Sequence, residues 1–559
     1  MKLTRREAIG AAALAAAPQI VSGITDPEVP ANVVAEWAVK SHRQYGDPFN
    51  ETDVDAVFTG PGGRELRVPA FWAGGQTWRF RFAHHETGEW TWRTVCSDPS
   101  NAELHGKTGT LRITPYQGSN PLLLHGPVRV AASRRHFEHA DGTPFFFLGD
   151  DWWLGMTRRL RWPHEFRTLA LDRKEKGFTV IKLTAGLNTD THEFDPRSEN
   201  EGGQPWEVDY ARINPAFFDW ADLRIAYLVD LGISPSVVGS WGFYLKSMGI
   251  PKMCRHWRYC VARWGAYPVT WYLAMENDLP FYGSTTGSED TKRAQKEWTE
   301  VGRYLRGADP FRRPISMQSW STRRSARGGL HDPALLDFDS LHMGHRDIES
   351  VQLCVRVVRE LRDEAPLMPV LPGEVCFEGI GWQNWQNVQR WVFWGSILGG
   401  SAGFCYGANG IWQFNRTGEP FGGTAHGSSS WAGDAWDTAM SYAGSRQIGL
   451  AKRFLARYPF WRIEPHQEWL DPAPKEENYL PPYAGGIPGE LRLVYVPFTG
   501  RSVQKMKNIE AGVRYRAFCF DPVTGEEREA GTAEGDAAGE WPMPSRPGKY
   551  DSVLVLEKV

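Results

Sequence analysis

The segment PFFFLGDDWWLGMTRRLRWPHEFRTLALDRKEKGFTVIKL, residues 144–183, decides the fold. Its apolar run FFFLGD (145–150) predicts a buried strand, the residues near 163–177 predict a helix, and FTVIKLT (178–184) predicts a second strand. A strand, a helix and another strand in this order form a βαβ unit, in which the two strands run parallel. The segment therefore predicts an α/β fold whose sheet is covered by helices.

The same alternation continues to about residue 457. Further strands are predicted at GISPSVVG (232–239), VTWYLAMEN (269–277), PISMQSW (314–320), DFDSLHMGH (337–345), MPVLPGEV (368–375) and SAGFCYGAN (401–409), with helices over 215–231, 251–266, 290–306, 348–362, 383–398 and 434–457. Eight predicted strands, alternating with helices, predict closure into a (β/α)₈, or TIM, barrel. An open doubly wound sheet is the alternative, but its usual phosphate-binding turns, GxGxxG and GxxxxGKS, do not occur in the sequence.

The chain on either side of these repeats has a β pattern. Residues from about 32 to 118 alternate apolar and polar positions, which predicts a small β-sandwich. Within it, HETGEW (85–90) is expected to join two strands as a hairpin, with Gly88 in the turn. After about residue 460 a second small β-domain is expected. The predicted division is a signal peptide and linker over 1–30, an N-terminal β-sandwich over 31–120, a catalytic barrel over 121–460 and a C-terminal β-sandwich over 461–559.

The N-terminus has the features of an export signal. Arg5 and Arg6 precede a short, alanine-rich apolar stretch from Ala8 to about Val21, which is typical of a twin-arginine signal. A frayed N-terminal helix is the alternative. The stretch is too short to span a bilayer, and no later segment is long and apolar enough to do so. We therefore expect a mature protein outside the cytoplasm, periplasmic or extracellular, with no membrane partner.

Composition narrows the classes of ligand. The net charge of −3 and the lack of a basic stripe argue against a nucleic-acid partner. The 26 tryptophans are an excess and favour a carbohydrate ligand, because an indole stacks on a sugar ring. The seven cysteines form no CxxC pair, so structural zinc is not expected. Neither HExxH nor GxSxG occurs, and no cofactor is predicted.

Two glutamates each end an apolar, strand-like run. Glu276 lies in VTWYLAMEND and Glu374 in MPVLPGEV, about three strand–helix units of roughly 31 residues apart. That separation suits strands 4 and 7, which face each other across a barrel mouth. One protonated and one ionised carboxylate are the minimal machinery for cleaving a glycosidic bond. The alternatives are that both acids are structural, or that Asp278 or Asp150 replaces Glu276 as the acid.

Other polar and aromatic residues follow the predicted strands, at the end where barrel active sites lie. The predicted substrate-binding residues are Asp150, Trp153, Trp241, Asn277, Gln318, His345, Tyr406 and Trp412, and the same strand ends carry Asp190, Trp320 and His342. Asp150 could instead cap a turn, and His345 could be structural. The segment DTHEFD (190–195) offers oxygen ligands for calcium, but it lacks the regular spacing of an EF-hand, so a solvated loop is favoured and no metal is predicted.

Several of these segments resemble one known family. The segment 144–183, DFDSLHMGH (337–345), PVLPGEVCFEG (369–379) and GSAGFCYGANGIWQF (400–414) resemble strands 1, 6, 7 and 8 of apiosidase-like glycosidases, the glycoside hydrolase family 140 group with its DUF4038-type catalytic domain. The residues before Pro144 resemble the DUF5060-type N-terminal domain of that group. The segment CFDPVTG (519–525) resembles its C-terminal β-domain, sometimes labelled collagen-binding.

The resemblance implies roles for particular residues. The family's nucleophile is the Glu of a Gly-Glu pair after strand 7, which corresponds to Gly373-Glu374. Its general acid is usually an Asp in a Gly-Gly-Asp run after strand 4, where this chain has Glu276 preceded by Ala274 and Met275. Relatives usually have an Asn before the acid that binds the sugar 2-hydroxyl. Met275 lacks that chemistry, whereas Asn277 and Asp278 have it.

Two functional hypotheses follow. The first is a secreted, retaining glycoside hydrolase that cleaves plant or microbial polysaccharides or their fragments by double displacement. Glu374 would be the nucleophile and Glu276 the acid and base. The second is a non-catalytic carbohydrate-binding protein on a glycosidase barrel, which the presence of both acids disfavours.

Overall fold

A computed structural model describes most of the chain. The described residues are 27–279, 287–320, 323–424, 431, 433–473, 480–498, 503–544 and 551–559, together with the backbone of 19–20. The twin arginine and most of the apolar stretch after it lie outside these residues, as does part of the loop that follows Glu276. Within the described part of the chain, no helix is both long and apolar enough to cross a membrane.

Eight parallel strands form the centre of the molecule. They are β1 (Phe147–Trp152), β2 (Val180–Thr184), β3 (Ser234–Val238), β4 (Thr270–Tyr272), β5 (Ile315–Ser316), β6 (Asp339–Gly344), β7 (Val370–Val375) and β8 (Gly403–Tyr406). Six of them form one sheet in the order β5-β4-β3-β2-β1-β8, while β6 pairs with β7 in a second sheet. All of these pairings are parallel. The predicted α/β class with a parallel sheet is confirmed.

Helices connect these strands and cover them. The long ones are α1 (His164–Lys176), α2 (Pro215–Asp230), α3 (Tyr244–Trp264), α4 (Ser288–Ala308), α5 (Ile348–Arg362), α6 (Gln386–Leu398) and α7 (Ala443–Leu455), and short ones occur at Pro48–Glu51, Pro121–Leu124 and Trp436–Ala439. Single 3₁₀ turns lie at Pro196–Ser198, Val208–Tyr210, Ala326–Gly329, Pro333–Leu335, Ile380–Trp382, Phe460–Arg462 and Gln467–Trp469. Buried apolar side chains of strands and helices form one continuous core.

Helix α3 begins earlier than the sequence predicts. Its expected start near Pro251 is the point where the backbone kinks, because Gly249 has φ +70° and breaks the helical geometry. A short turn from Tyr244 precedes the kink. Proline fits the first turn of the longer part, since its missing N–H has no helical partner there.

Two sheets near the N-terminus pack on each other through a shared apolar core. One contains the strands Glu28–Pro30, Thr108–Thr114, Gly88–Cys96, Val54–Thr59 and Glu65–Pro69, and the other contains Gln19–Ile20, Ala35–Lys40, Thr77–Phe82 and Phe71–Trp72. The predicted hairpin at HETGEW is wrong, because the strands on its two sides belong to different sheets. Gly88 (φ +127°) begins the second of these strands instead. The core joins the two sheets through Phe58 and Phe82, whose rings stack at 3.9 Å.

The remaining strands are antiparallel. Val128–Val130, Phe137–His139 and Pro144–Phe145 form a small sheet just before β1. Towards the C-terminus, a six-stranded sheet contains Glu464–Pro465, Tyr483–Ile487, Leu491–Val496, Ser552–Lys558, Arg514–Phe520 and Glu527–Glu534, and a three-stranded sheet contains Leu470–Asp471, Lys505–Met506 and Trp541–Pro542. None of the seven cysteines forms a disulfide.

Candidate active site

A cavity of about 210 Å³ opens where the parallel strands end. Six of the predicted site residues line it: Glu276, Glu374, Trp153, Trp241, His345 and Trp412. Glu374 lies near the end of β7, and the others come from the segments after β1, β3, β4, β6 and β8. Residues far apart in sequence converge because parallel strands share one C-terminal edge. The cavity is thus built from the strand ends of both parallel sheets.

Glu276 lies on an irregular continuation of β4. The strand ends at Tyr272, but its backbone stays bonded to its neighbours, since Met275 accepts the N–H of Gly242 at 2.8 Å. Glu276 itself has φ +48°, a left-handed conformation that is strained for a residue with a side chain. Gly242 permits this path, because a Cβ there would lie 2.4 Å from Cα of Asn277. Strain of this kind is typical of functional positions.

Glu374 lies within β7, beside β6. Its side chain is almost fully buried. The preceding residue must be glycine, because a Cβ on Gly373 would lie 1.8 Å from Oγ of Ser340 on β6. The Gly-Glu pair therefore reflects the close approach of two strands, which fixes the position of the carboxylate.

Two histidines from the end of β6 contact the carboxylates. His342 places Nδ1 3.6 Å from Oε1 of Glu276 and Nε2 3.5 Å from Oε1 of Glu374. His345 places Nε2 3.5 Å from the same oxygen of Glu374, and its Nδ1 accepts the backbone N–H of Phe377 at 3.1 Å. One imidazole thus spans both glutamates. Trp241 adds a direct hydrogen bond to Glu276.

The surroundings of Glu374 favour its ionised form. Burial raises the pKa of this carboxyl, but His342, His345 and the buried Lys182 outweigh burial and bring its pKa below the ordinary value. Burial lowers the pKa of His342 to about 4, so this ring is neutral near pH 7 and offers Glu374 an N–H rather than a full charge. Lys182 pairs with Asp151 at 2.7 Å and donates to the carbonyl oxygen of Gly373.

His342, His345 and Glu374 are close enough together to raise the question of a metal. The hydrogen bond at His345 argues against one. Because Nδ1 accepts an N–H from Phe377, the proton of the neutral ring is on Nε2, and a protonated nitrogen has no lone pair for a metal. Nε2 therefore serves as a donor towards Glu374. In the loop DTHEFD (190–195), the carboxylate of Asp195 is already paired with Arg197 at 2.6 Å, which disfavours it as a calcium ligand.

Aromatic side chains form much of the cavity wall. Trp153 and Trp241 meet nearly edge to face, with ring centroids 5.3 Å apart, and Trp412 lies 6.4 Å from Trp431. Trp320 packs against the ring of His342 at 4.6 Å. Flat apolar walls beside two carboxylates suit a ligand with one apolar ring face and several hydroxyl groups.

Four predicted substrate-binding residues do not line this cavity, because protein groups hold their side chains. Asp150 is fully buried and pairs with Arg173 at 2.6 Å. Asn277 donates to the carbonyl of Gly329 at 2.7 Å, and Tyr406 donates to Glu378 at 2.6 Å. Gln318 is fully buried, with Nε2 3.5 Å from Oγ of Ser340. These four side chains contact protein groups beside the cavity, and their role in substrate binding stays a prediction.

The other two candidates for the acid, Asp278 and Asp150, also bond to other protein groups. Asp278 accepts hydrogen bonds from Oγ of Ser319 at 2.8 Å and from the backbone of Trp320 at 2.7 Å. Asp150 is the partner of Arg173. Of these three acids, Glu276 is the one that lines the cavity and shares His342 with Glu374.

Several lining residues were not among the predicted site residues: Thr189, Asp190, Leu279, Trp320, His342, Phe377, Ile380 and Trp431. Asp190, Trp320 and His342 follow predicted strands, so their position at the C-terminal edge was a signal for them. The other five lie in loops, and no periodic pattern marks a loop residue that folds back over a cavity.

An α/β fold with a parallel sheet carries an aromatic cavity with two glutamates at its C-terminal edge, an arrangement that suits a glycoside hydrolase. The family model described as "Apiosidase-like, catalytic domain" matches residues 131–462, which is more than half of the chain. The chain belongs to the apiosidase-like family and is a glycoside hydrolase. A second model, described as a domain of unknown function (DUF5060), matches residues 29–97.

Solved structures share the fold. A glycoside hydrolase aligns at 21% identity with a TM-score of 0.64, covering 79% of this chain and 98% of its own. A glycoside hydrolase family 5 protein from Bacteroides vulgatus ATCC 8482 aligns at 21% identity with a TM-score of 0.63, covering 78% and 95%. A candidate glycoside hydrolase from the same organism aligns at 18% identity with a TM-score of 0.66, covering 96% and 100%. No curated protein matches the chain.

Proposed function

We propose that this protein is an exported, retaining glycoside hydrolase that cleaves O-glycosidic bonds in plant or microbial polysaccharides or their fragments. Glu374 is the nucleophile, and Glu276 is the acid and base. One observation carries the proposal: His342 contacts both carboxylates inside a single aromatic cavity. The resemblance of Gly373-Glu374 to the family's nucleophile motif supports the same assignment.

The directions of the histidine N–H groups support Glu374 as the nucleophile and Glu276 as the acid. His345 directs N–H at Oε1 of Glu374, as its contact with Phe377 requires, so this oxygen is an acceptor, and the lowered pKa of Glu374 favours the ionised carboxyl. The neutral His342 then also turns its single N–H, on Nε2, towards Glu374. Its Nδ1 is left as an acceptor 3.6 Å from Oε1 of Glu276, which is the arrangement that a proton on Glu276 would need. This arrangement gives one ionised and one protonated carboxyl, as the double-displacement mechanism requires.

The reaction follows from these positions. Glu374 attacks the anomeric carbon and forms a glycosyl-enzyme, while Glu276 gives its proton to the leaving oxygen. Glu276 then takes a proton from water as that water attacks the same carbon and releases Glu374. Trp241 holds Glu276 through its indole N–H at 2.8 Å during both steps.

The same proposal includes a closed (β/α)₈ barrel. Two hydrogen bonds between the sheets support closure. The N–H of Asp337, just before β6, donates to Ile315 of β5 at 2.8 Å, and the N–H of Ala402, just before β8, donates to Val370 of β7 at 2.8 Å. Closure would bring Glu276 and Glu374 to opposite sides of one mouth.

Export by the twin-arginine route is also part of the proposal, supported by Arg5, Arg6 and the alanine-rich stretch after them. Replacing both arginines with lysine should retain the precursor in the cytoplasm of an expressing cell, as cell fractionation would show. Unchanged export of that variant would contradict this part alone.

The catalytic assignment is tested with Glu374→Ala and Glu276→Gln. Products from a panel of plant and microbial polysaccharides would first identify the sugar released, and ¹H NMR of the first product would show its anomeric configuration. Each variant should lose at least about 100-fold in kcat. Glu378→Gln is the matched control, because Glu378 is a buried glutamate four residues after Glu374 that does not line the cavity.

Three results would contradict the proposal. Undiminished turnover in both variants removes the two glutamates from the mechanism. An inverted first product removes the covalent intermediate. Calorimetric binding of sugars without any product, across the whole panel, would favour a binding protein on this scaffold.

A further inference from the structure

A second and larger cavity, of about 520 Å³, lies at the opposite ends of the parallel strands. Phe146, directly before β1, lines it, as do Gly400 and Ala402, directly before β8. By contrast, Trp153, directly after β1, lines the catalytic cavity. The length of β1 therefore separates the two cavities by roughly 20 Å. The volume is within the range of about 300–1,000 Å³ that is common for small-molecule sites.

One wall of this second cavity is an aromatic platform. Trp461 lines it and is 38% exposed, so part of its ring is open to a ligand. Phe460 packs edge-on against the Trp461 ring at 5.2 Å, and Phe146 in turn packs against Phe460 at 5.0 Å. The exposed ring is thus supported from the core side, and a supported flat ring loses little conformational freedom when a ligand stacks on it.

The polar groups of this cavity are charged but paired. Arg362 pairs with Glu464 at 3.0 Å, Arg462 with Glu490 at 2.7 Å, and Arg135 with Asp363 at 2.7 Å. An anion would have to compete with these carboxylates for each guanidinium. A pair of this kind still presents N–H donors and carboxylate acceptors side by side, which suits neighbouring hydroxyl groups.

The histidine that lines this cavity, His136, also favours a neutral ligand. Burial lowers the pKa of His136, so the ring is uncharged at neutral pH, and its Nδ1 lies 3.3 Å from Oγ of Ser133. The lining thus adds neutral donors and acceptors rather than further positive charge.

We propose that this cavity is a second carbohydrate-binding site, in which a neutral glycan segment stacks on Trp461 and hydrogen-bonds to the Arg362–Glu464 pair. The ligand is a further stretch of the polymer that the catalytic cavity cleaves, so the inference rests on the proposed function. A polysaccharide held in the second cavity raises the local concentration of cleavable bonds at the catalytic cavity. The site adds affinity for polymers and takes no part in bond cleavage.

The test is affinity electrophoresis of the full chain in native gels that contain xyloglucan, galactomannan, arabinogalactan or dextran, with polygalacturonate as the anionic comparison. Every protein carries Glu374→Gln, so that cleavage does not remove the probe. Trp461→Ala should weaken retention by at least one neutral polymer about tenfold, and Trp461→Phe should restore most of it, since a flat ring remains. Phe498→Ala, which removes another exposed aromatic outside this cavity, is the matched control and should not change retention.

Activity provides the second readout. With Glu374 intact, Trp461→Ala should raise KM for the polymer and leave kcat/KM for a short substrate within about twofold. Equal retention of Trp461→Ala and its parent on every gel, retention of neither by any neutral polymer, or Trp461-dependent retention by polygalacturonate alone would each overturn the second site. Loss of the proposed catalytic function would appear differently, as a missing product from short substrates while Trp461-dependent retention persists.

Discussion

Trp241 donates its indole N–H to Oε2 of Glu276 at 2.8 Å, while Oε1 of the same carboxyl lies 3.6 Å from Nδ1 of His342. The two contacts orient the proposed acid. Trp241→Phe keeps the ring and removes the N–H, so we expect kcat to fall about tenfold or more on substrates with poor leaving groups. Aryl glycosides of the released sugar with leaving groups of different acidity would measure this loss.

The leaving-group series also provides the control for Trp241→Phe. A dinitrophenolate needs little help from an acid, so its release should change far less than that of an unactivated phenol. An equal loss with both leaving groups would show that Trp241 acts through substrate stacking instead.

Lys182 is expected to set the acidic limb of the pH profile. Its charge is one of the causes that hold the pKa of Glu374 below the ordinary value, against the effect of burial. In Lys182→Met the pKa of Glu374 should therefore rise, and the acidic limb of kcat/KM should move to higher pH. The profile of the free enzyme, kcat/KM against pH, measures the shift directly.

A double variant separates this electrostatic role from folding. Lys182→Met leaves Asp151 buried without its partner, and adding Asp151→Asn removes that carboxylate. The melting temperature should recover in the double variant, while the acidic limb stays displaced. An unshifted limb in both variants would show that Lys182 does not act on Glu374.

Asp150 is expected to be structural. It is fully buried with Arg173. Its removal leaves Asp172 as the remaining carboxylate partner of that buried guanidinium, so we expect a cost near the lower end of the range for a broken buried pair, about 3 kcal/mol. Asp150→Ala should lower the midpoint of denaturant unfolding strongly, with KM of the remaining folded enzyme close to that of the wild type. A tenfold rise in KM with unchanged stability would restore Asp150 as a substrate ligand.

Glu378 should make stability depend on pH. Burial raises its pKa from 4.5 to about 7, even though Tyr406 and the N–H of Gly444 favour the ionised form. The folded state therefore binds this proton more tightly than the unfolded chain, and this group's contribution to stability falls as pH rises from about 4.5 to 7. Glu378→Gln lacks that step, so its melting temperature relative to the wild type should rise between about pH 5 and pH 8. A pH-independent difference would contradict the assignment.

Removal of metal ions should leave the activity unchanged. The hydrogen bond from Phe377 to Nδ1 of His345 requires a proton on Nε2, the atom that a metal held with Glu374 would need. Prolonged treatment with a chelator, followed by activity on the identified substrate, checks this. Loss of activity that Zn²⁺ restores would show that the tautomer is the other one.

The sequence predicts the central fold well, because its signals are strong. Helix α5 runs over Ile348–Arg362, the residues that its apolar periodicity predicts. Seven of the eight parallel strands lie within their predicted runs, and β1 extends two residues beyond its run, to Trp152. The hairpin at Gly88 failed for a physical reason. An alternation of apolar and polar residues identifies a strand with one buried face, but it does not say which of two packed sheets the strand joins.

The site was predictable in part. Residues such as Trp241 and Glu374 were found because parallel strands bring their C-terminal ends together. Asp150 and Tyr406 lie near the ends of β1 and β8, yet they turn towards Arg173 and Glu378, and the sequence contains no signal for those buried partners. Trp431 was missed because its place depends on a loop path, which no periodicity encodes.

The left-handed backbone of Glu276 has an evolutionary consequence. Most relatives are expected to have the shorter Asp here, and a longer side chain on an unchanged backbone would place its oxygens elsewhere. In this chain the φ of +48° and the close approach of Gly242 set the direction of the side chain together with its length. An exchange of Glu for Asp would therefore require a compensating change in the β3–β4 connection. For the proposed acid, loop path and side-chain length would therefore have to change together, which a single substitution does not do.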